Sequence, residues 1–424
     1  MRFFIETMGC QMNKADSERV TGLLVAGGWE EASRVDEADI VLVNGCVVRA
    51  KAEEKAVARV RELLRGRRRI KVGLIGCAAE WRGEELLREL PALHLMVSPS
   101  RLDEIPTLVD AGGTALGHRP WIRQGVEMQR CAGIRAWIPV MRGCDQHCTF
   151  CVVPRTRGPE VSLPPSFVME LAQGAIREGY VELDLLGQRV SAYRHRGLTF
   201  ASLVRELARL PGVKRIRFTA PYPADVGDDL LHVMASEPTV EHRLHLPLQS
   251  GSDSVLERMG RGYTVMQFVD VVEKARALMP SLGLSTDVIV GFPGETEDDY
   301  RATESIVRDV GFDTAFTFMF SPRAGTPAAG MDGQLPQETK KERLARLIEV
   351  HHRTLQTKLL GMVGRTMDVL IERYEGVDPG YSFGRASSGR VAAVEGWYAP
   401  GSVVSLTVTG LEGHTLYGVP HKEA

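Results

Sequence analysis

Short apolar segments alternate with helical segments along most of the chain, and this alternation limits the fold more than any other feature. The first apolar segments are FFIET, DIVLVN, KVGLIG and LHLMVS, and helices are expected near residues 16–26, 48–64, 84–90 and 102–109. A helix that connects two strands crosses over the sheet and places the strands parallel. The sequence therefore predicts an N-terminal α/β domain with a parallel sheet over residues 1–113.

The alternation resumes after the glycine-rich stretch AGGTALGHRPWIRQG, so residues 114–134 are assigned to a linker. Six further apolar segments are WIPVM, VELDLLG, RIRFTA, RLHLPL, LSTDVIVGF and TAFTFMF. They predict an open, partial (β/α)6 barrel over residues 135–362, with its site in the loops after the strands and a charged helix near 339–360. The segments MDVLIERYEG, GRVAAVEG and SVVSLTVTG predict a small antiparallel β-barrel over residues 363–424.

Composition excludes several classes of protein. Of the 424 residues, 44% are hydrophobic and 25% are charged, which is ordinary for a globular protein. The start MRFFIETMGCQMN lacks a signal-peptide pattern and no stretch has the composition of a membrane span, so we expect a cytoplasmic protein. The seven cysteines are an odd number without a signal peptide, which favours metal-binding or catalytic thiolates over disulfides. The net charge of −2 predicts that any RNA partner is held by local basic patches.

Three cysteines crowd into the segment MRGCDQHCTFC. These are Cys144, Cys148 and Cys151, here called the loop cysteines, with the spacing C-x-x-x-C-x-x-C after a predicted strand. Three thiolates can bind three irons of a [4Fe-4S] cluster and leave the fourth iron for S-adenosylmethionine, which an electron then cleaves to a 5′-deoxyadenosyl radical. The alternatives are free surface thiols or a zinc site, for which His147 is awkwardly placed inside the loop.

Cys10, Cys46 and Cys77, here called the edge cysteines, each follow a predicted strand of the N-terminal sheet. The carboxyl ends of parallel strands lie along one edge, so these cysteines can meet although they are remote in sequence. Each alone would most simply be a buried structural residue, but their shared position predicts a second three-cysteine cluster. Cys131 lies outside both groups and is predicted to be a free thiol.

Two segments after barrel strands carry residues suited to S-adenosylmethionine. In STDVIVGFPGET, Gly291 and Gly294 permit close approach of the backbone to a ligand, although a tight strand-to-helix turn is the alternative. In LQSGSDSVLERMGR, polar side chains follow a strand and could bind the ribose and carboxylate of the cofactor. Ser252 or Asp253 could instead cap the next helix.

The segments TMGCQMNKADSE, GCDQHCTFCVVPRTRG, HLPLQSGSD, VIVGFPGET and SPRAGTPAA together make the whole chain resemble the radical methylthiotransferases of the radical S-adenosylmethionine superfamily. The resemblance implies a methylthiotransferase domain, a radical barrel and a TRAM domain. It implies a radical [4Fe-4S] cluster on the loop cysteines and an auxiliary [4Fe-4S] cluster on the edge cysteines that supplies sulfur. S-adenosylmethionine serves as radical source and as methyl donor, with predicted contacts from Phe150, Gln188, Gln249, Ser250, Ser252, Gly291 and Gly294.

The segments CTFCVVPRTRG and LDLLGQ resemble the branch that modifies carbon 2 of isopentenylated adenosine beside the tRNA anticodon. Threonylcarbamoyl-adenosine in tRNA is the second alternative. An aspartate of a small-subunit ribosomal protein is the third, and that branch resembles DIPLQH and QDT where this chain has HLPLQS and GQR. The chain departs from the isopentenyl pattern with QRVS at 188–191, APYP at 220–223 and SLP at 162–164, near the expected substrate loops.

The implied partners are the tRNA anticodon stem-loop and an external electron donor of the flavodoxin or ferredoxin type, with no membrane partner and a monomeric state. Candidate contacts to RNA or cofactor anions are Arg155, Arg157, Lys340 and Lys341. Ion pairing within the barrel is the alternative for the two arginines, and a solvated face is the alternative for the basic runs at 65–71 and 340–346. A different class of function also fits: an iron-sulfur or zinc RNA-binding module that never cleaves S-adenosylmethionine.

Overall fold

The computed structural model describes residues 1–66, 70–119, 128–219, 221–376 and 380–421. Parts of the basic run at 65–71 and of the predicted linker at 114–134 lie outside these ranges, as does Ala220. The predicted domain boundaries stay predictions.

The N-terminal part contains a six-stranded parallel sheet, as the alternation predicts. Its strands are β1 (Arg2–Met8), β2 (Glu30–Glu31), β3 (Ile40–Gly45), β4 (Lys71–Ile75), β5 (Leu95–Val97) and β6 (Gly113–Ala115), and its helices are α1 (Gln11–Ala26), α2 (Ala50–Arg65), α3 (Cys77–Glu89) and α4 (Ile105–Ala111). The strand order is β2-β1-β3-β4-β5-β6. Every residue of β3 is buried, which is typical of a parallel strand covered on both faces.

Two helices begin earlier than the sequence predicts. Helix α1 begins at Gln11 rather than near residue 16, because Cys10 and Asn13 close its first turn with a backbone-to-side-chain hydrogen bond of 3.3 Å. Helix α3 begins at Cys77 rather than near residue 84, and it is interrupted at Gly83, where φ is 45° and ψ is −135°. The break separates two short helical segments, and the apolar pattern of the sequence predicts only the second of them.

The central part contains two three-stranded sheets, β7-β10-β13 and β14-β15-β16, which a parallel bridge between Ile216 and Val240 connects. The strands are β7 (Arg135–Pro139), β8 (Met141–Arg142), β9 (Val161–Ser162), β10 (Glu182–Leu186), β11 (Arg194–His195), β12 (Leu198–Thr199), β13 (Arg215–Phe218), β14 (Arg243–His245), β15 (Gly283–Val290) and β16 (Thr314–Met319). The helices are α5 (Val153–Arg157), α6 (Pro165–Arg177), α7 (Phe200–Ala208), α8 (Asp228–Ser236), α9 (Asp253–Arg258), α10 (Val265–Leu278), α11 (Glu297–Val310) and α12 (Gln337–Leu360). The six parallel strands and the helices around them confirm the predicted open (β/α)6 barrel.

The last part forms a closed barrel with the strand order β17-β18-β19-β21-β20. Its strands are β17 (Thr366–Glu375), β18 (Tyr381–Ala386), β19 (Val391–Glu395), β20 (Val403–Glu412) and β21 (Thr415–Pro420). All pairs are antiparallel except β19 with β21, so the predicted small barrel is confirmed with one parallel pair. Throughout the described chain, no helix has both the length and the apolar character that crossing a membrane requires.

The C-terminal barrel covers the end of the central barrel where the strands begin. Arg215, the first residue of β13, donates to the backbone oxygen of Arg385 at 2.7 Å. The backbone N–H of His242, just before β14, donates to the hydroxyl of Ser387 at 3.0 Å. The site is therefore left to the opposite end, where the strands finish, as expected for a β/α barrel.

The N-terminal domain packs at that opposite end. Trp81 of α3 lies 4.5 Å from the guanidinium carbon of Arg155, which follows the loop cysteines. Glu53 of α2 pairs with Arg323, after β16, at 2.5 Å. These contacts bring the carboxyl edge of the N-terminal sheet against the carboxyl ends of the barrel strands, so the loop and edge cysteines lie on facing parts of the molecule.

Candidate iron-sulfur and cofactor site

The loop that carries the loop cysteines runs from β8 to α5 and is held by backbone hydrogen bonds. Cys144 donates to the carbonyl of Gly158 at 3.1 Å, and Cys151 donates to that of Cys148 at 3.0 Å. Gly143 precedes the loop with φ of 76°, and a Cβ there would overlap the backbone of Gly158 and its neighbour. Only glycine tolerates both conditions, so the local sequence imposes the start of the loop.

The three loop cysteines share one electrostatic environment. Burial raises the pKa of Cys151 to about 12, the backbone N–H of Val153 opposes this shift, and the nearby Cys148 and Cys144 add to it. Burial also raises the pKa of Cys144. Because iron binds thiolates, loading a cluster here would release protons. His147, the alternative fourth ligand of a zinc site, is exposed.

A half-buried arginine, Arg261, contacts this group and was not among the residues predicted from the sequence. Arg261 donates from Nη1 to Sγ of Cys148 at 3.2 Å. Its guanidinium carbon lies 4.5 Å from the ring centre of Tyr222 and 5.1 Å from that of Tyr263. It ends the segment LQSGSDSVLERMGR, whose pattern contains no signal that this residue reaches the cysteine loop.

The edge cysteines come together as the parallel sheet predicts, because β1, β3 and β4 are neighbours in the sheet. A hydrogen bond from Cys46 lowers the pKa of Cys10 to about 6, although burial opposes the shift. The same bond raises the pKa of Cys46. Burial raises the pKa of Cys77, and the charge of Cys10 acts in the same direction.

A buried amide network fixes the two loops that carry Cys10 and Cys46. Asn13 Nδ2 donates to Asn44 Oδ1 at 2.8 Å, and Asn44 Nδ2 donates to the Asn13 backbone oxygen at 2.8 Å and to Ser17 at 2.9 Å. Asn13 Oδ1 also accepts from the thiol of Cys10 at 3.2 Å. Networks of satisfied buried polar groups are rigid, so these positions are preorganised for a ligand.

Arg157 connects the two groups of cysteines. It ends α5, is buried, and donates from Nε to Sγ of Cys77 at 3.1 Å. Its Nη2 lies 2.7 Å from Oδ2 of Asp16 on α1. Burial alone lowers the pKa of Arg157, but Asp16, Cys77 and Cys10 raise it above its ordinary value. The expected RNA contact is not supported for Arg157, because its ion pair is buried between the domains.

The residues present fit a cluster at each group. Within the described ranges, no set of three or more His, Cys, Asp or Glu side chains surrounds a single metal-ion position. Cluster cysteines differ from such a set, because each thiolate binds a separate iron. Each group instead offers three thiols and one arginine that donates to a sulfur, and hydrogen bonds of this kind tune iron-sulfur clusters.

Gln249 has the features of a ligand-binding residue. It follows β14 with φ of 65°, which is unusual for a residue other than glycine. Its Oε1 is buried and has no hydrogen-bond partner among the described residues. Backbone strain and an unpaired buried oxygen both cost stability and concentrate at functional sites, which fits the predicted contact with S-adenosylmethionine.

The two serines predicted with Gln249 bond to other protein groups. The Ser250 hydroxyl lies 3.3 Å from that of Thr303, and the Ser252 hydroxyl donates to Oδ1 of Asp299 at 2.5 Å. Ser252 is the N-cap residue of α9, but its side chain makes no capping hydrogen bond to the first turn of the helix. A capping box between Thr296 and Asp299 begins α11. Ser250 and Ser252 thus organise the loops beside Gln249, and their contact with the cofactor stays a prediction.

Gln188 and Phe150 support the cysteine loop. Gln188 Oε1 accepts from the backbone N–H of Gly143 at 2.6 Å. The ring of Phe150 packs edge-on against Phe292, with centres 6.3 Å apart. Both residues therefore position the loop, and a direct cofactor contact from either stays a prediction.

The predicted glycine turn is held by a buried ion pair. Gly291 and Gly294 have φ of 71° and 73°. Glu295 Oε1 accepts from the Gly291 N–H at 2.9 Å and pairs with Nη1 of Arg343 on α12 at 2.6 Å. Arg343 thus belongs to the interior of the barrel wall rather than to a solvated basic face.

The remaining candidate cations differ in accessibility. Lys340 is buried and donates to the backbone oxygen of Phe320 at 3.3 Å, so its proposed RNA contact is not supported. Lys341 is exposed, pairs with Glu338 at 3.0 Å and stays a candidate. Arg155 stacks on Trp81 at the domain contact described above.

Two family models match the chain. The one described as "Uncharacterized protein family UPF0004" matches residues 2–98, and the one described as "Radical SAM superfamily" matches residues 138–305. Among solved structures, the radical S-adenosylmethionine methyltransferase TsrM from Kitasatospora setae has a TM-score of 0.58 at 15% identity, covering 77% of each chain. The cobalamin-dependent S-adenosylmethionine radical enzyme OxsB has a TM-score of 0.54 at 13% identity, covering 82% of this chain and 56% of OxsB. These two similarities concern the fold alone.

Curated relatives match over nearly the whole length. The tRNA-2-methylthio-N(6)-dimethylallyladenosine synthase of Cereibacter sphaeroides is 39% identical over 98% of both chains. The synthases of that name from Nitrosomonas europaea and Saccharopolyspora erythraea are each 37% identical, covering 98% and 97% of this chain and 98% and 88% of the relative. The resemblance to the radical methylthiotransferases is confirmed: the chain belongs to the family of the tRNA-2-methylthio-N(6)-dimethylallyladenosine synthases.

Proposed function

We propose that this chain is a radical S-adenosylmethionine enzyme that adds a methylthio group to carbon 2 of N6-dimethylallyl-adenosine, the isopentenylated nucleoside, beside the tRNA anticodon. The observation that carries the proposal is the 39% identity over 98% of both chains to a synthase of that name. The names of the relatives favour this substrate over threonylcarbamoyl-adenosine and over a ribosomal-protein aspartate.

The loop cysteines are proposed to bind the radical cluster, and Gln249 to contact S-adenosylmethionine. When bound, a [4Fe-4S] cluster with three cysteine ligands supplies the electron that cleaves S-adenosylmethionine. Arg261 stabilises the thiolate of Cys148 through its hydrogen bond of 3.2 Å. Gly143 and Gln188 hold the loop, and this places the three thiols for three separate irons.

The edge cysteines are proposed to bind the auxiliary cluster. Support comes from their convergence at neighbouring strand ends, from the rigid amide network around Cys10 and Cys46, and from the burial of Cys46 and Cys77. Arg157 orients Cys77 and offsets the negative charge of the thiolates. Helix α5 follows the loop cysteines, and its last residue, Arg157, donates to Cys77 of the edge cysteines. This short helix therefore links the two cysteine groups.

The same proposal includes the tRNA anticodon stem-loop as partner, a flavodoxin- or ferredoxin-type electron donor, a monomeric state and a cytoplasmic location. Lys341 and Arg155 remain candidate RNA contacts. The proposed boundaries are residues 1–113 for the N-terminal domain, 114–134 for the linker, 135–362 for the radical barrel and 363–424 for the C-terminal barrel.

The test is anaerobic turnover of cluster-loaded protein with a reductant, S-adenosylmethionine and two tRNA pools, one isopentenylated and one threonylcarbamoylated. Mass spectrometry of the digested nucleosides detects the methylthio product, and chromatography detects 5′-deoxyadenosine. We expect the product only from the isopentenylated pool. Product only from the threonylcarbamoylated pool would contradict the substrate, and the absence of any cleavage would favour a non-catalytic RNA-binding module.

Cysteine variants separate the two proposed clusters. Cys148→Ala should abolish cleavage, whereas Cys10→Ala should retain cleavage and lose methylthiolation. Cys131→Ala is the matched control, because Cys131 is exposed and lies outside both groups. If Cys148→Ala or Cys10→Ala behaves like this control, the corresponding cluster assignment is wrong.

A further inference from the structure

Four side chains on the inner face of the barrel have no role in the function described so far. In the parallel register, His245 of β14 lies beside Ser285 of β15, and Asp287 of β15 lies beside Phe316 of β16. Neighbouring residues on parallel strands share a face. The alternate residues, such as Leu244 and Leu284, are in the hydrophobic core with the surrounding helices, so the first set faces the barrel interior.

These side chains form a connected polar and aromatic group. His245 Nδ1 lies 3.0 Å from the Ser285 hydroxyl, and Nε2 lies 3.2 Å from Asp287 Oδ2. An imidazole with its proton on Nε2 satisfies both contacts, donating to the carboxylate and accepting from the hydroxyl. The His245 ring also lies 6.0 Å from that of Phe316 at 62°, in an edge-to-face arrangement.

Part of this group remains available to a ligand. Phe316 is 42% exposed, which is unusual for a large aromatic residue on an inner barrel strand. The side chain of Asp287 is 30% exposed, whereas that of His245 is 10% exposed. Among the residues that the structure describes, Oδ1 of Asp287 has no hydrogen-bond partner. A flat apolar ring therefore lies beside an oriented carboxylate oxygen.

The group adjoins the proposed cofactor residue. The Gln249 N–H donates to the backbone oxygen of Asp287 at 2.8 Å, and Ile289 donates to that of Gln249 at 2.9 Å. Gln249 carries the unpaired Oε1 and the positive φ described above. A ligand on Phe316 and Asp287 would thus lie next to the residue proposed to contact S-adenosylmethionine.

We propose that Phe316 and Asp287 form the subsite for the adenine base that is modified, with His245 as a positioning residue. A nucleobase taken out of its stack is commonly held on an aromatic ring and read at its polar edge. Adenine with a single N6 substituent keeps one N6–H, which the free Oδ1 of Asp287 can accept. This subsite rests on the proposed function, because it takes the base of the proposed tRNA substrate.

The test measures binding without turnover. Cluster-loaded protein is titrated against two fluorescent anticodon stem-loop RNAs that differ only at the substrate position, with adenosine in one and purine riboside, which lacks the amino group, in the other. Wild-type protein should bind the adenosine RNA about tenfold more tightly, because a hydrogen bond to a charged acceptor contributes about that factor. Asp287→Ala should abolish this ratio, and His245→Gln should reduce it.

Phe316→Ala should weaken binding of both RNAs about tenfold, whereas Phe316→Tyr should retain binding, because base stacking needs only the ring. Met266→Ala is the matched control, since Met266 is 79% exposed on the outer helix α10, and it should leave both affinities unchanged. The affinity for S-adenosylmethionine is measured for every variant, because that cofactor also carries an adenine.

Three results would overturn the proposal: a wild-type ratio near one, a ratio that Asp287→Ala retains, or a loss of S-adenosylmethionine binding with RNA binding unchanged. The last result would assign the subsite to the cofactor. The wild-type ratio needs no variant and so does not depend on how a substitution folds. Absence of methylthiolation would count only against the proposed function, because RNA binding is measured independently.

Discussion

Replacing Arg157 by methionine removes a buried cation and keeps a side chain of similar length. Its ion pair with Asp16 joins α5 of the barrel to α1 of the N-terminal domain at 2.7 Å, and the two side chains are 4% and 13% exposed. Removing one partner of a buried pair leaves the other charge uncompensated, which costs about 3–5 kcal/mol. Arg34 and Asp36 form an ion pair at the surface, with side chains 71% and 62% exposed, and solvent screening leaves such pairs little net effect on stability.

The assay is urea unfolding combined with hydrogen exchange at the amides of α1 and α5, because a chain of several domains need not unfold in one step. We expect Arg157→Met to lower local stability by about 3–5 kcal/mol, whereas Arg34→Met should change it little, because solvent screens the exposed pair. Adding Asp16→Asn to Arg157→Met should recover much of the loss, because no buried charge then remains. Equal effects of the two single variants, or no recovery in the double variant, would refute this reasoning.

Three further changes test the site and its support. Gly143→Ala should lower the amount of iron bound by the loop cysteines, because the added Cβ overlaps the neighbouring backbone. Gly28→Ala is the control, since Gly28 has a similar φ of 83° but open space around the added Cβ, and it should leave the iron content unchanged. Iron analysis and visible absorbance measure both variants. Burial raises the pKa of Asp184 from 3.8 to about 7, so this group should lower folding stability as pH rises from about 4 to 7, by up to about 4 kcal/mol. Urea midpoints at pH 5 and 8 should show a smaller loss of stability with pH in Asp184→Asn than in the wild-type protein. Arg343→Met leaves the Glu295 carboxylate, which holds the glycine turn, buried without its partner. This variant should bind S-adenosylmethionine more weakly in equilibrium dialysis. An unchanged affinity would show that the glycine turn does not contribute to cofactor binding.

The fold could be predicted from the sequence because it depends on local patterns. Apolar segments separated by helices specify parallel strands in both α/β parts, and short β segments between glycines specify the last barrel. The edge cysteines could be brought together by the same argument, since each follows a strand of one parallel sheet. Helix starts were less predictable: α3 begins at Cys77 because Gly83 interrupts the helix and hides its first turns from the apolar pattern.

The accessibility of charged residues could not be predicted in the same way. Lys340 and Lys341 are neighbours in sequence, yet Lys340 is buried beneath the glycine turn and Lys341 is exposed. A charged helix shows which residues carry charge, but the packing of α12 on the barrel decides which of them reach solvent. The same limit applies to Arg157, a candidate contact to RNA or cofactor anions, because its pairing with Asp16 of the N-terminal domain is visible only in the folded chain.

By itself the sequence determined the alternation of strands and helices, the two cysteine groups and the kind of cofactor they suit, because these depend on spacing along the chain. Only the tertiary structure decided which side chains support them. Arg157 contacts Cys77 across 80 residues of sequence, and Arg261 contacts Cys148 across 113. The pairing of His245 with Asp287 likewise depends on the register of β14 and β15. Such contacts arise where separate elements pack together, and no local pattern records them.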